Sequence, residues 1–193
     1  WKYIEHKRPP WAKHLHRGVK NARMRISDSN EKQVFQDLNL FVEPDETDQE
    51  IIEWWARAGI FSRSIENQFL LETGNSGEIL SLDYERNRTG LKPLHMAYYS
   101  DSCGYDIESR VGPNDSSPLY IEVKSSVSKW QRANLFLSRS EFRVCVKNGD
   151  NYVFHLWDLS SETKKLIVVK GDEIVKRAPI DSEGGEWKKM SIP

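Results

Sequence analysis

A chain of 193 residues, 38% hydrophobic and 30% charged, is long enough to bury one main core. Its mean hydropathy of -0.67 fits a wet surface and excludes the run of about 20 apolar residues that crosses a bilayer. Cys103 and Cys145 lack the CxxC or Cys/His spacing that cages zinc, and both read as reduced thiols of an intracellular protein, cytoplasmic or, in a eukaryote, nuclear. No secretory signal opens the chain, and Trp1 in place of Met reads as the start of a fragment.

The net charge of -1 hides an asymmetry: residues 1 to 25 hold eight Lys or Arg against Glu5 alone. Lys13, Arg17, Lys20, Arg23 and Arg25, interleaved with Trp1, Tyr3, Trp11, His14 and His16, are candidate nucleic-acid contacts. Cations neutralise the phosphate backbone there, and rings can stack on bases. The competing reading is a solvated arm. An acidic, proline-bearing stretch from Glu43 to Asp48 reads as a turn or linker. The chain is therefore expected to divide near residue 45, with 1–45 a basic arm or linker to a missing domain and 46–193 the main domain.

Three helices are expected next. One begins at Thr47 or Asp48, carries Ile51, Ile52, Trp55 and Ala58 and stops at Gly59; the next runs from about Ser64 to Leu71 and ends near Gly74. The third runs from about Ser76 toward Arg88, with Gly90 as its stop. Trp54 and Trp55 are read as packing aromatics. The period then becomes extended over Leu94 to Tyr99, Tyr105 to Ser109 and Leu119 to Val123. The turn-rich segment from Gly112 to Pro118 makes the last two an antiparallel hairpin. Ser138 and Glu141 form a capping box, and strands follow at Tyr152 to Trp157 and Leu166 to Val169. This order predicts an α/β fold with a mixed central sheet flanked by helices.

Within this frame Asp106 and Glu122 carry the chemistry. On adjacent antiparallel strands their carboxylates converge at one sheet position, since cross-strand neighbours stand about 5 Å apart. Glu122 and Lys124, two apart on a strand, project from one face. Two carboxylates suit Mg²⁺ or Mn²⁺, and an adjacent lysine can orient or deprotonate a water or offset charge on a phosphate. Ordinary solvent-facing alternation is the rival reading, and for Glu108 an accessory ligand and a surface carboxylate stand side by side. His95 and His155 read as packed, hydrogen-bonded histidines. Gln131, beside Trp130, is a candidate DNA or water contact. No nucleophilic-serine elbow and no phosphate-cradling glycine loop is present, so no ATP site is expected.

In order along the chain stand Gly77-Glu78, Tyr84-Glu85-Arg86, Gly104-Tyr105-Asp106-Ile107-Glu108-Ser109, Tyr120-Ile121-Glu122-Val123-Lys124-Ser125-Ser126, Phe136 to Glu141, and Tyr152-Val153-Phe154. This series resembles the NO VEIN C-terminal domain family, a branch of the PD-(D/E)xK nuclease superfamily, over about residues 75 to 157. The resemblance implies a restriction-endonuclease-like core with Asp106, Glu122 and Lys124 at its centre, and Glu78 as a further acid at the metal site. The rival role for Glu78 is a favourable charge near a helix N-terminus. Glu85 is the weaker candidate, expected to pair with a nearby Arg. The expected activity is metal-dependent endonucleolytic hydrolysis of DNA, in a restriction or anti-phage defence protein with further domains or subunits, and a homodimer where both strands are cut. A catalytically silent binding module and a nuclease acting on RNA are the alternatives.

Overall fold

The computed structural model describes residues 1–42, 48–99, 103–128, 135–179, 181 and 187–192. The chain divides into two units, Trp1–Leu71 and Glu72–Pro193. The first comprises α1 (Lys2–Lys7), a 3-10 turn at Ala12–Arg17, α2 (Val19–Arg25), α3 (Ser29–Asp37) and the first part of α4 (Gln49–Thr89). Proline explains the end of α1: Arg8 turns into the left-handed region with φ 42°, and Pro9 and Pro10 cannot continue the helix. Asp28 caps α3 by accepting the Asn30 and Glu31 N–H groups.

Ile4, Trp11, Leu15, Ile26, Phe35 and Leu40 are buried together, with Trp54 and Trp55 packed against them. The basic segment, expected as an arm or linker, thus contributes apolar residues to a core of its own. The expected division near residue 45 falls at 43–47, outside the described residues, whereas the two units meet between Leu71 and Glu72.

Three helices were expected where one of 41 residues, α4, runs without interruption. Gly59 and Gly74 do not break it, because a helical glycine costs only about 1 kcal/mol relative to alanine and packing of neighbouring residues offsets that. Gly77 is needed for a different reason: a Cβ there would stand 1.9 Å from the Ser125 Oγ. The helix ends as expected at Gly90, which has φ +72° and donates its N–H to the Arg86 carbonyl.

In the second unit β1 (Leu94–His95), β2 (Ile107–Gly112), β3 (Asp115–Ser126), β5 (Tyr152–Asp158) and β6 (Lys165–Lys170) form one sheet in the order β1-β2-β3-β5-β6. Only β3 and β5 are parallel, joined through β4 (Leu135–Ser138) and α5 (Arg139–Asn148). The fold is therefore mixed α/β. The turn expected over 112–118 is tighter than that, since Asp115 already pairs with Gly112. The strand expected over 94–99 shrinks to two residues, followed by a 3-10 turn at Met96–Tyr98. A short helix α6 (Gly171–Val175) and the ribbon of β4 with β7 (Lys189–Ile192) were not anticipated.

Period-two alternation puts the two faces of β3 into different cores. Leu119, Ile121 and Val123 pack with Ile107, Val153, Trp157 and, from α4, Leu80 and Leu82. Tyr120 lies in the other core, with Phe154, Leu156 and Cys145 of α5. Among the described residues no helix is long and apolar enough to cross a membrane.

Candidate active site

Asp106 immediately precedes β2 and is held by its backbone on two sides. Its N–H donates to the Ile121 carbonyl at 2.9 Å, and its carbonyl accepts the Met96 N–H at 2.7 Å. The β2–β3 register pairs Ile107 with Ile121, so one step back sets Asp106 opposite Glu122. The expected convergence of the two acids therefore follows from the hairpin. Asp106 Oδ2 accepts the Val123 N–H at 2.7 Å. Lys124, on the same face of β3 as Glu122, donates to Glu122 Oε1 at 2.5 Å.

Glu141 completes the cluster. As the third residue of α5 it accepts the Ser138 N–H on Oε2 at 2.7 Å, forming the expected capping box, while Oε1 accepts from Lys124 at 3.2 Å. One ammonium thus serves two carboxylates, with a third facing them. Only the capping role of Glu141 was legible in the sequence. The signal for the rest is that a capping glutamate has a second oxygen.

Burial first, and the neighbouring charges second, shift these groups from their ordinary pKa values. Burial lifts the Asp106 carboxyl to about 6; the Val123 N–H opposes this, the negative charge of Glu78 adds to it, and Lys124 reduces it. Burial also holds Glu122 well above the ordinary carboxylate range, opposed by Lys124 and reinforced by Asp106 and Glu141. Burial alone would pull the Lys124 amine down, but Glu122 and Glu141 outweigh it and hold the amine above its ordinary value. Glu141 is likewise raised by burial, yet Lys124 and the Ser138 N–H bring it below its usual range.

Glu78 accepts a hydrogen bond from His95 Nε2 at 2.6 Å. No hydrogen bond or ion pair among the described residues joins it to Asp106, Glu122 or Lys124, and its link to them is the charge felt at Asp106. The helix-end role is excluded, because Glu78 lies deep inside α4 rather than in its first turn. His95 is hydrogen-bonded as expected, but its partner could not be foreseen. Glu108 stays apart from the cluster and takes a long hydrogen bond from the Tyr105 hydroxyl at 3.4 Å.

Glu85 pairs with an arginine as expected. Arg88 holds both its oxygens, at 2.9 and 2.6 Å, and spends further N–H groups on the carbonyls of Val111 and Arg110. His155 Nε2 stands 3.6 Å from Glu85, while its Nδ1 lies 3.1 Å from the Ser81 hydroxyl, which also accepts the Trp157 indole N–H. The Ser81 hydroxyl can accept from Trp157 and donate to Nδ1, an arrangement that suits a neutral His155 ring with its proton on Nε2. Burial, aided by Arg88, lowers its pKa to about 4 against the pull of Glu85.

Of the candidate nucleic-acid contacts, Lys13 stands 4.6 Å over the Phe69 ring, Arg17 pairs with Glu66 at 3.3 Å, and Arg23 donates to the Phe41 carbonyl. Arg25 donates to Asn21 at 3.0 Å, and Lys20 is exposed. Gln131 and Trp130 lie outside the described residues.

The donors suit a hard divalent cation. Asp106 Oδ1 and Glu122 Oε2 have no hydrogen-bond partner among the described residues, and Mg²⁺ needs only one or two carboxylates while keeping its waters. No group of three or more His, Cys, Asp or Glu among the described residues is placed to hold a metal ion together. A family model described as Protein NO VEIN, C-terminal, matches residues 77–190, which takes in Glu78, Asp106, Glu122, Lys124 and Glu141. No curated protein and no solved structure matches the chain.

Proposed function

The chain belongs to the family of the NO VEIN C-terminal domain, and from its acid and lysine geometry we propose that it is a metal-dependent endonuclease of the PD-(D/E)xK type that hydrolyses DNA phosphodiester bonds. The observation that carries this reading is the facing pair Asp106 and Glu122, each with one oxygen unbonded among the described residues, beside Lys124 at 2.5 Å from Glu122. Asp106 and Glu122 would hold Mg²⁺ or Mn²⁺, with Glu78 nearby. When bound, such a cation polarises a phosphoryl oxygen and acidifies a water.

The chain's own groups have distinct parts. The Val123 N–H fixes the Asp106 carboxylate, so its free oxygen is set by the hairpin rather than by a mobile rotamer. Glu141, from α5, gives Lys124 a second acceptor at 3.2 Å, limiting where the ammonium can go. Kept protonated by two carboxylates, Lys124 is suited to stabilise negative charge gathering on phosphate more than to act as a base. The basic residues of the first unit, Lys20 above all, supply counter-charge for the nucleic-acid backbone. On this reading the setting is a restriction or anti-phage protein with further domains, and cutting both strands would take a second site, as in a homodimer.

Incubation of the purified chain with supercoiled plasmid and, separately, end-labelled RNA, each with Mg²⁺, Mn²⁺ or EDTA, tests this directly. Plasmid should be cut with either metal and left intact in EDTA. Cleavage undiminished by EDTA would sink the metal assignment, and cleavage of RNA alone would move the substrate to the other nucleic acid.

A further inference from the structure

The first unit carries a pocket whose chemistry contrasts with its surroundings. It has a volume of about 490 Å³, within the range of small-ligand sites, and its lining includes Tyr3, Trp11, Phe35 and Trp54. No Lys, Arg or His lines it, although residues 1 to 25 hold eight Lys or Arg. The charged side chains in its lining are those of Asp28 and Glu31, both acidic.

The acids are fixed there by local structure. Asp28 is the cap of α3, and Glu31 accepts the Tyr3 hydroxyl on Oε1 at 2.7 Å and the Trp11 indole N–H on Oε2 at 2.8 Å. Both Glu31 oxygens are thus engaged, which leaves the group to act on a ligand by charge more than by accepting its hydrogen bonds. Phe35 meets Trp11 and Trp54 edge-on, each at 5.5 Å between centroids, which steadies the two indoles. Trp1, also in the lining, already holds the Arg57 guanidinium 4.5 Å over its ring. Exposed Val34 of α3 and Leu38, the residue just past its end, extend the apolar lining.

We propose that this pocket binds a methylated ammonium group, held against the rings of Tyr3, Trp11 and Trp54 by the negative charge of Glu31 and Asp28. Aromatic rings attract a cation through the negative charge on their faces, and recognition of quaternary ammonium by such cages is a recurring use of that attraction. A bare ammonium would have to give up strongly held water and needs free acceptors. A methylated one has few or no donors to satisfy, and its methyl groups suit an apolar lining. The inference is independent of the nuclease reading, because every residue in it belongs to the first unit.

The test is titration of the full 193-residue chain with choline, followed by the indole N–H resonances in NMR. The neutral isostere 3,3-dimethylbutan-1-ol serves as comparison. Choline should move the Trp11 and Trp54 resonances and leave Trp157, which donates to the Ser81 hydroxyl in the other unit, in place as a folding control. The isostere should bind about tenfold more weakly, and Glu31→Gln should weaken choline by about the same factor while leaving the isostere unchanged. Tyr3→Leu, at a position 52% exposed and so tolerant of change, should also weaken choline. Equal binding of choline and the isostere, or unmoved Trp11 and Trp54 resonances in the millimolar range, would overturn the proposal. A short trimethyl-lysine peptide, run beside choline, tells a protein source from a small-molecule one.

Discussion

Glu85 and Glu122 are two nearly buried acids of one unit, 1% and 3% exposed, and they live in opposite circumstances. Glu85 is closed: Arg88 grips both oxygens, Arg88 is itself tied to two carbonyls, and His155 beside it is neutral. Its charge is matched one to one. Glu122 is open: it shares one lysine with Glu141, faces Asp106, and keeps an oxygen unbonded among the described residues. Three carboxyl groups share one ammonium, and with burial this holds Asp106 and Glu122 above the ordinary carboxylate range. Burial of an acid therefore does not distinguish a structural site from a chemical one. On the proposed reading, the balance of charge and the oxygens left unbonded among the described residues do.

The largest expected effect lies at the open cluster. Asp106→Asn or Glu122→Gln should slow single-turnover cleavage by at least about a thousandfold, close to 4 kcal/mol of transition-state stabilisation, with DNA affinity nearly unchanged. The melting temperature should not fall, since each change removes one of the crowded charges. At the closed cluster the signs reverse. Glu85→Gln should leave the rate per folded molecule intact and cost about 3 kcal/mol of stability, because Arg88 loses its charged partner in a mostly buried place. Thermal melts and rates on the four proteins decide the matter. If Glu122→Gln melted as low as Glu85→Gln and still cut, the distinction between the clusters would be empty.

Acid should expose the closed cluster next. His155 is held neutral with a pKa lowered to about 4, whereas in the unfolded chain it takes a proton near its ordinary 6.5. The unfolded state then binds more protons between those values, so this group's stability is complete above about 6.5 and is lost as pH falls toward 4. The loss is about 3 kcal/mol across that window. Denaturant melts at several pH values should show the fall in the parent and a flatter profile in His155→Gln. A parent whose stability is unchanged between pH 6.5 and 4.5, with the variant parallel to it, would mean that His155 is already charged in the fold.

How far these clusters could be read in advance depended on the range of the forces involved. The ExK pair was legible because a strand's period of two places Glu122 and Lys124 on one face, and the turn residues after Gly112 made Asp106 and Glu122 neighbours. Those are local rules. Glu141 meeting Lys124 depends on where α5 begins relative to β3, and His95 meeting Glu78 depends on β1 lying beside α4; neither leaves a periodic mark. The continuity of α4 was missed because Gly59 and Gly74 look like stops, although their cost of about 1 kcal/mol each is small beside that of packing. In the first unit, cations interleaved with Ile4, Trp11, Leu15 and Ile26 masked a buried face, and the segment read as an arm.

Glu78 is the acid that tests where the comparison divides. Like Glu85 it has a partner, since His95 donates to it at 2.6 Å, yet its charge reaches the open cluster at Asp106. Glu78→Gln separates the two memberships, because the amide oxygen can still accept from His95 while the charge is gone. If Glu78 belongs with the closed kind, the substitution should lower stability modestly and leave cleavage alone. We expect the other outcome: a melting temperature close to the parent's and a rate lower by about a hundredfold, or about 2.7 kcal/mol, partly recovered by raising Mn²⁺. Recovery by metal is the decisive feature, since a lost fold or a lost phosphate contact would not respond to it. A Glu78→Gln protein that cuts at the parental rate under limiting metal would place Glu78 with Glu85, and leave Asp106, Glu122 and Lys124 to act without it.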